Sequence, residues 1–182
     1  MGEAPLWVFG YGSLIWEPGF DVAESRRARL HGFARRFCMR SYHHRGTEEV
    51  PGLVLALDAD ADAACDGLAL RAAPGSEEAT LDYLRERELV TRAYLERLLP
   101  AVLEDGGQVV ALTYVMDQDH PQYCGRLPLA DQAAIIARAH GGRGPNRDYL
   151  MNTARHLAEL GIEDGEIAAI AAMLAEAENA RE

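Results

Sequence analysis

A glutamate that follows leucines at helical spacing is the first candidate for chemistry. Leu81, Leu84 and Glu88 fall at i, i+3 and i+7, so a helix over this stretch carries Glu88 on its apolar stripe and turns Glu86 to the opposite side. A carboxylate held there can take a proton and return it, and partial burial, which makes a carboxylate a stronger base, suits that task. The spacing alone reads first as structural. Arg85 at i−3 and Arg92 at i+4 are both in salt-bridge reach, a pairing worth about 0.2–0.5 kcal/mol. A second stretch offers donors. Leu6-Trp7-Val8-Phe9 runs into Gly10-Tyr11-Gly12-Ser13-Leu14, a β-favouring run that ends in a turn. Its glycines clear Cβ atoms from the backbone, so the N–H groups of Tyr11, Gly12, Ser13 and Leu14 can meet a carboxylate or an oxyanion. A tight hairpin turn explains the same glycines. Gly-x-Gly without a third glycine and a following helix is not a dinucleotide fingerprint.

The elements that must position these residues are strands first and helices last. Residues 28–41 read as one long bent strand or two hinged at Gly32. Residues 53–57 and 66–73 read as strands separated by an acidic, alanine-rich turn over 58–64. Pro74-Gly75 ends this meander. Ser76 is placed to cap a helix with Glu77 and Glu78 in its first turn, reaching to about Val90. Residues 92–102 fit strand or helix, and Gly106-Gly107 leads into a strand over 108–116. A loop carrying Tyr123 follows, then helices over 129–139, 147–160 with Asn146 as cap, and 163–179. The pattern is α+β, in a single domain over residues 1–182.

Composition narrows the function. Hydrophobic residues make up 48% of the 182-residue chain, with no run near the ~20 apolar residues that a membrane span needs. No export leader opens it, so a cytoplasmic protein is expected. The net charge of −11 disfavours nucleic acid and leaves small molecules as the expected partners. Cys38, Cys65 and Cys124 are odd in number and widely spaced, unlike a disulfide framework or a zinc site. Adjacent His43 and His44 point to opposite sides of an extended chain, so no metal and no cofactor is expected. All 18 basic residues are arginine, and residues 26–45 hold Arg26, Arg27, Arg29, Arg35, Arg36, Arg40 and Arg45 with no acid among them. That run reads as a solvated strand face for most of its members.

The run Val8-Phe9-Gly10-Tyr11-Gly12-Ser13-Leu14-Ile15-Trp16, followed by Pro18-Gly19-Phe20, resembles the opening motif of the ChaC-like γ-glutamylcyclotransferases. Arg36-Phe37, His44-Arg45-Gly46, Pro51-Gly52, Tyr83-Leu84, Arg87-Glu88, Tyr123, Pro128-Leu129 and the stretch 141–150 continue the resemblance, in the family's order, to about residue 160. It implies a small, partly closed mixed β-barrel with surrounding helices. It also implies an intramolecular reaction in which the α-amine of a γ-glutamyl group attacks its own γ-carbonyl, giving 5-oxoproline and expelling the amine. Glutathione is the implied substrate, with cysteinylglycine released. Other γ-glutamyl amines, or a non-catalytic regulatory role on the same fold, are the alternatives. Glu88 corresponds to the family's catalytic acid/base, and the turn of Tyr11, Gly12, Ser13 and Leu14 to the cradle of the γ-glutamyl group. Tyr123 and Tyr149 are weighed equally as pocket hydrogen-bonders and as packed tyrosines. Arg40 and Arg45 are candidates to attract the glycine carboxylate. The chain departs from some relatives at Leu89-Val90-Thr91-Arg92, where they carry glycines, and at His43, where others carry an acid.

Overall fold

The computed structural model describes residues 4–182. Five strands close into a barrel in the order β1-β3-β2-β4-β5. They are β1 (Trp7–Gly10), β2 (Val22–Ser41), β3 (Gly52–Ala72), β4 (Tyr94–Leu103) and β5 (Gln108–Met116). β1 runs antiparallel to β3 and parallel to β5, and β4 pairs antiparallel with both β2 and β5, so the barrel is mixed as expected and fully closed. The helices are α1 (Glu77–Glu88), α2 (Leu129–Arg138), α3 (Asn146–Glu159) and α4 (Gly165–Asn179), with a small ribbon of β6 (His140–Gly141) and β7 (Gly144–Pro145) between α2 and α3.

Tertiary pairing overrode local composition in one place and decided between open alternatives in two others. The 58–64 stretch is no turn: it lies inside β3, which continues unbroken for 21 residues. Its Asp-Ala alternation has the period of a strand, and the neighbouring β2 supplies the pairing that the residues' weak β-propensity does not. β2 likewise passes through Gly32, which takes φ 86°, so the expected hinge bends the strand without ending it. The ambiguous 92–102 stretch is β4, held residue for residue against β5 from Tyr94↔Met116 to Val102↔Gln108.

Ser76 takes the expected N-cap position of α1, whereas Asn146 does not take that of α3. The Ser76 side chain makes no cap bond and its hydroxyl donates back to the Ala73 carbonyl at 2.7 Å. Asn146 is the first residue of α3 rather than its cap. Fully buried, it grips the backbone of Leu53, donating from Nδ2 to the carbonyl and accepting the N–H at Oδ1, each at 2.8 Å. Asp164, by contrast, caps α4 by accepting the Ile167 N–H at 3.0 Å.

The chain forms two compact units. The first, residues 1–35 and 56–120, contains most of the barrel and α1. Its core joins Val8, Leu14, Leu84, Leu112 and Tyr114, with Leu6, Phe20, Leu81, Tyr83, Leu89 and Tyr94 packed against them. The second, residues 36–55 and 121–182, packs α2, α3 and α4 together through Ile136, Leu150, Leu157, Ile167, Ile170 and Leu174. Among the described residues no helix is long and apolar enough to cross a membrane.

Candidate active site

Helix α1 forms as its pattern predicts, and its apolar stripe decides where Glu88 goes. Leu84 is fully buried and Leu81 half-buried against the strands of the first unit, while Glu86 stands exposed. Glu88 is the last residue of the helix, and its side chain keeps only 16% of its exposure. The expected salt-bridge partner is occupied elsewhere: Arg85 holds Glu96 through two nitrogens at 2.9 and 3.1 Å. The cation beside Glu88 is its neighbour Arg87, whose Nε lies 3.3 Å from Glu88 Oε1.

Arg87 does more than balance that charge. Its Nη2 donates to the Ser13 hydroxyl at 2.8 Å, and Nη1 donates to the Glu17 carbonyl at 2.7 Å and the Tyr83 hydroxyl at 3.3 Å. One planar guanidinium therefore ties the end of α1 to both sides of the turn after β1, and it puts the Glu88 carboxylate and the Ser13 hydroxyl on the same cation. The turn itself is a short 3-10 turn, Ser13–Ile15. It is closed by the N–H groups of Ile15, Trp16 and Glu17, which donate to the carbonyls of Gly12 and Ser13. Those of Gly12, Ser13 and Leu14, at its opening, are not used inside it.

Two further contacts set the turn's shape. The buried Arg35 donates from Nε to the Tyr11 carbonyl at 2.7 Å and from Nη2 to the Asp66 carbonyl, so it ties the backbone of Tyr11 to that of β3. Gly19 has φ 76°, and a Cβ there would stand 1.9 Å from the Tyr83 hydroxyl, so only glycine lets Tyr83 reach the position from which it meets Arg87.

Behind the carboxylate lies a second network. Tyr114 and Glu96 are cross-strand partners, and the hydroxyl of the almost fully buried Tyr114 donates to Glu96 Oε2 at 3.1 Å. The phenol pKa is raised well above its ordinary value of 10. Burial is the first cause, followed by the charge and hydrogen bond of Glu96 and then the charge of Glu88. Tyr114 thus stays a neutral donor in the field of two carboxylates. Glu96 itself is held below the ordinary carboxylate range, chiefly by the Arg85 hydrogen bonds.

Of the expected site residues, the first unit brings together Glu88, Tyr11, Gly12, Ser13 and Leu14. Arg40, Tyr123 and Tyr149 belong to the second unit. Tyr123 pairs with Met39, and Arg40 exchanges backbone and side-chain bonds with Gln122. Tyr149 packs edge-on to Phe37 at 6.0 Å, lies under the Arg45 guanidinium at 5.4 Å, and accepts the Leu55 N–H at 3.3 Å. These contacts use both its ring and its hydroxyl. Arg45 is spent on the carbonyls of Arg143 and Pro145. The arginine run is not a free cationic strip: Arg26 pairs with Asp105 and Glu24, Arg27 with Glu104 and Arg29 with Asp66. Among the described residues no three His, Cys, Asp or Glu side chains assemble as a metal site.

Sequence reasoning missed Arg87, Arg35 and the Arg85–Glu96–Tyr114 network as parts of this site. Arg87 stood beside Glu88 in the resemblance, and Glu96, the one acid in a largely apolar strand, was the visible sign of the network. Arg35 was lost among its arginine neighbours.

Known proteins share sequence and fold with this chain. The family model for ChaC-like protein matches residues 6–177. The chain is 38% identical over 162 residues to the glutathione-specific gamma-glutamylcyclotransferase of Escherichia coli, covering 89% of this chain and 69% of that protein. Human glutathione-specific gamma-glutamylcyclotransferase 1 is 33% identical over 169 residues, covering 91% and 76%. In fold, the crystal structure of a yeast γ-glutamyl cyclotransferase specific to glutathione superposes with a TM-score of 0.84 at 24% identity, covering 96% of this chain and 97% of that one.

Proposed function

Because the chain belongs to the ChaC-like protein family, we propose that it is a γ-glutamylcyclotransferase that acts on glutathione and releases 5-oxoproline and cysteinylglycine, with Glu88 as general acid and base. The observation that carries the site assignment is the Arg87 guanidinium, which fastens the Glu88 carboxylate and the Ser13 turn to one another. The proton-transfer group and the candidate donor loop are thereby parts of one rigid piece.

The chemistry asks little else of the protein, because the substrate brings its own nucleophile. Glu88 takes a proton from the α-ammonium, and the freed amine attacks the γ-carbonyl carbon, forming the lactam C–N bond. Charge gathers on the carbonyl oxygen, where the N–H groups at the opening of the 11–14 turn are suited to receive it. Glu88 then returns its proton to the departing nitrogen as the original amide C–N bond breaks. The carboxylate ends as it began, ionised beside Arg87. The neutral Tyr114 phenol and the Arg85-paired Glu96 fix the polarity of the wall behind it.

The test is direct: purified protein incubated with glutathione should release 5-oxoproline and cysteinylglycine in equal amounts. A folded protein that forms neither product overturns the proposal. A γ-glutamyl dipeptide turned over with a higher kcat/KM than glutathione would keep the reaction and replace the substrate.

A further inference from the structure

The second unit holds a pair of thiols that the cyclisation does not use. Cys38 lies near the end of β2, and Cys124 lies in the segment after β5. Met39 and Tyr123 bridge in antiparallel register. The Cys124 N–H donates to the Cys38 carbonyl, and the Arg40 N–H to the Gln122 carbonyl, each at 2.8 Å. One step outward from that bridge, in opposite directions on the two segments, sets Cys38 directly against Cys124. Residues so opposed project from the same face. At such a hydrogen-bonded position the Cα atoms stand about 5.5 Å apart, inside the ~4.4–6.8 Å range that disulfides span. No disulfide joins any of the three cysteines; Cys38 is fully buried, whereas Cys124 is partly exposed.

We propose that Cys38 and Cys124 form a dithiol site that exchanges with low-molecular-weight disulfides and closes to a reversible cross-strand disulfide. The difference in exposure orders the steps. The Cys124 thiolate attacks one sulfur of the small disulfide, forming a mixed disulfide and releasing one small thiolate. Cys38, facing it across the pair, then attacks the Cys124 sulfur, forming the internal bond and expelling the second small thiolate. One electron pair passes from the protein to the reagent, and the two protons of the protein thiols end on the two released thiols. Closure must draw Cβ atoms from about 4.5–5.5 Å, the spacing of opposed strand residues, to about 3.8 Å. A bond made under that constraint is reducible, so the site is a reversible one. Its closure also fastens the 122–124 segment, now held to β2 by main-chain bonds and by Gln122 Nε2 donating to the Arg40 carbonyl at 2.9 Å.

2-Hydroxyethyl disulfide, which has no γ-glutamyl group, tests the site independently of the proposed reaction. After incubation of the native protein with excess reagent, alkylation and peptide mass mapping should show a Cys38–Cys124 link, with Cys65, buried in the other unit, still alkylated. Titratable thiols should fall from three to one and return to three with dithiothreitol. The oxidised protein should melt about 3 °C or more above the reduced one, since a long loop is closed in its unfolded chain. In Cys38→Ala the reaction should stop at one small thiol on Cys124. In Cys124→Ser, Cys38 should react at least about tenfold more slowly than Cys124 does in the wild type, because burial keeps it from the reagent. Persistent mixed disulfide on wild-type Cys124, no reaction at all, or a link through Cys65 would each overturn the proposal. The wild-type map decides it even if a variant fails to fold.

Discussion

Glu88→Gln removes one charge and one basic site and leaves the shape of the side chain almost unchanged. The structural cost can be worked from the contacts. Arg87 loses an ionic neighbour at 3.3 Å but keeps the Ser13 hydroxyl, the Glu17 carbonyl and the Tyr83 hydroxyl, and the variant's amide oxygen can still face its Nε. The net change in stability should be about 1 kcal/mol or less, which for a chain of this size is a Tm shift within about 4 °C. The catalytic cost is of another order. A positioned acid or base typically supplies ~10²–10⁴-fold in rate, and this carboxylate serves both proton steps, so kcat should fall by about 10³-fold or more. The assay is 5-oxoproline release at saturating glutathione, run beside thermal unfolding and a binding measurement, with Glu86→Gln as the exposed control. That control should stay within about twofold of wild type. A folded Glu88→Gln protein that keeps more than about a tenth of wild-type kcat would show that another group moves the proton.

Arg87→Met should lower Tm by roughly 3–10 °C, since three hydrogen bonds to a largely buried guanidinium go, and should cut kcat/KM by about tenfold or more; Arg87→Lys, which keeps charge without the fork, should fall between, and equal behaviour of the two variants would refute the positioning role. Exhaustive chelation and dialysis should leave turnover unchanged, whereas activity lost to a chelator and restored by one metal would refute cofactor independence. Asn146→Ala should destabilise by about 2–4 kcal/mol in denaturant unfolding, because the buried Leu53 N–H and carbonyl both lose their partner. Glu96 has a folded pKa below its ordinary 4.5, so its contribution to stability is present above pH 4.5 and is lost as pH falls through the lower folded value. The Tm gap between wild type and Glu96→Gln should therefore close in acid, and a gap that widened below pH 4.5 would contradict that sign.

What could be read from the residues was whatever local periodicity decides. β5 matched its expected bounds because an apolar run follows the Gly106-Gly107 turn, and α1 followed the stripe of Leu81 and Leu84. The larger failures share one cause, a partner distant in sequence. The Asp-Ala stretch of β3 looks like a turn until β2 lies beside it. Asn146 carries the residue type of a cap, yet it binds Leu53, 93 residues away, with both ends of its amide. The arginine run reads as one uniform strip until each member meets its acceptor, and only then does Arg35, buried and turned to the Tyr11 carbonyl, separate from Arg29, which pairs at the surface with Asp66.

The two readings of Glu88, a salt-bridged acid and the proposed proton carrier, are compatible with one and the same ion pair. The expected bridge to Arg85 fails because Glu96, fixed opposite Tyr114 by strand register, takes that guanidinium with both oxygens. Glu88 pairs with Arg87, and Arg87 has its remaining nitrogens committed to the turn after β1 and to Tyr83. The bond to Ser13 spans 74 residues and ties the turn to the cation that Glu88 meets, so in the proposed cyclisation it would help to set the distance between the carboxylate and the turn's N–H groups.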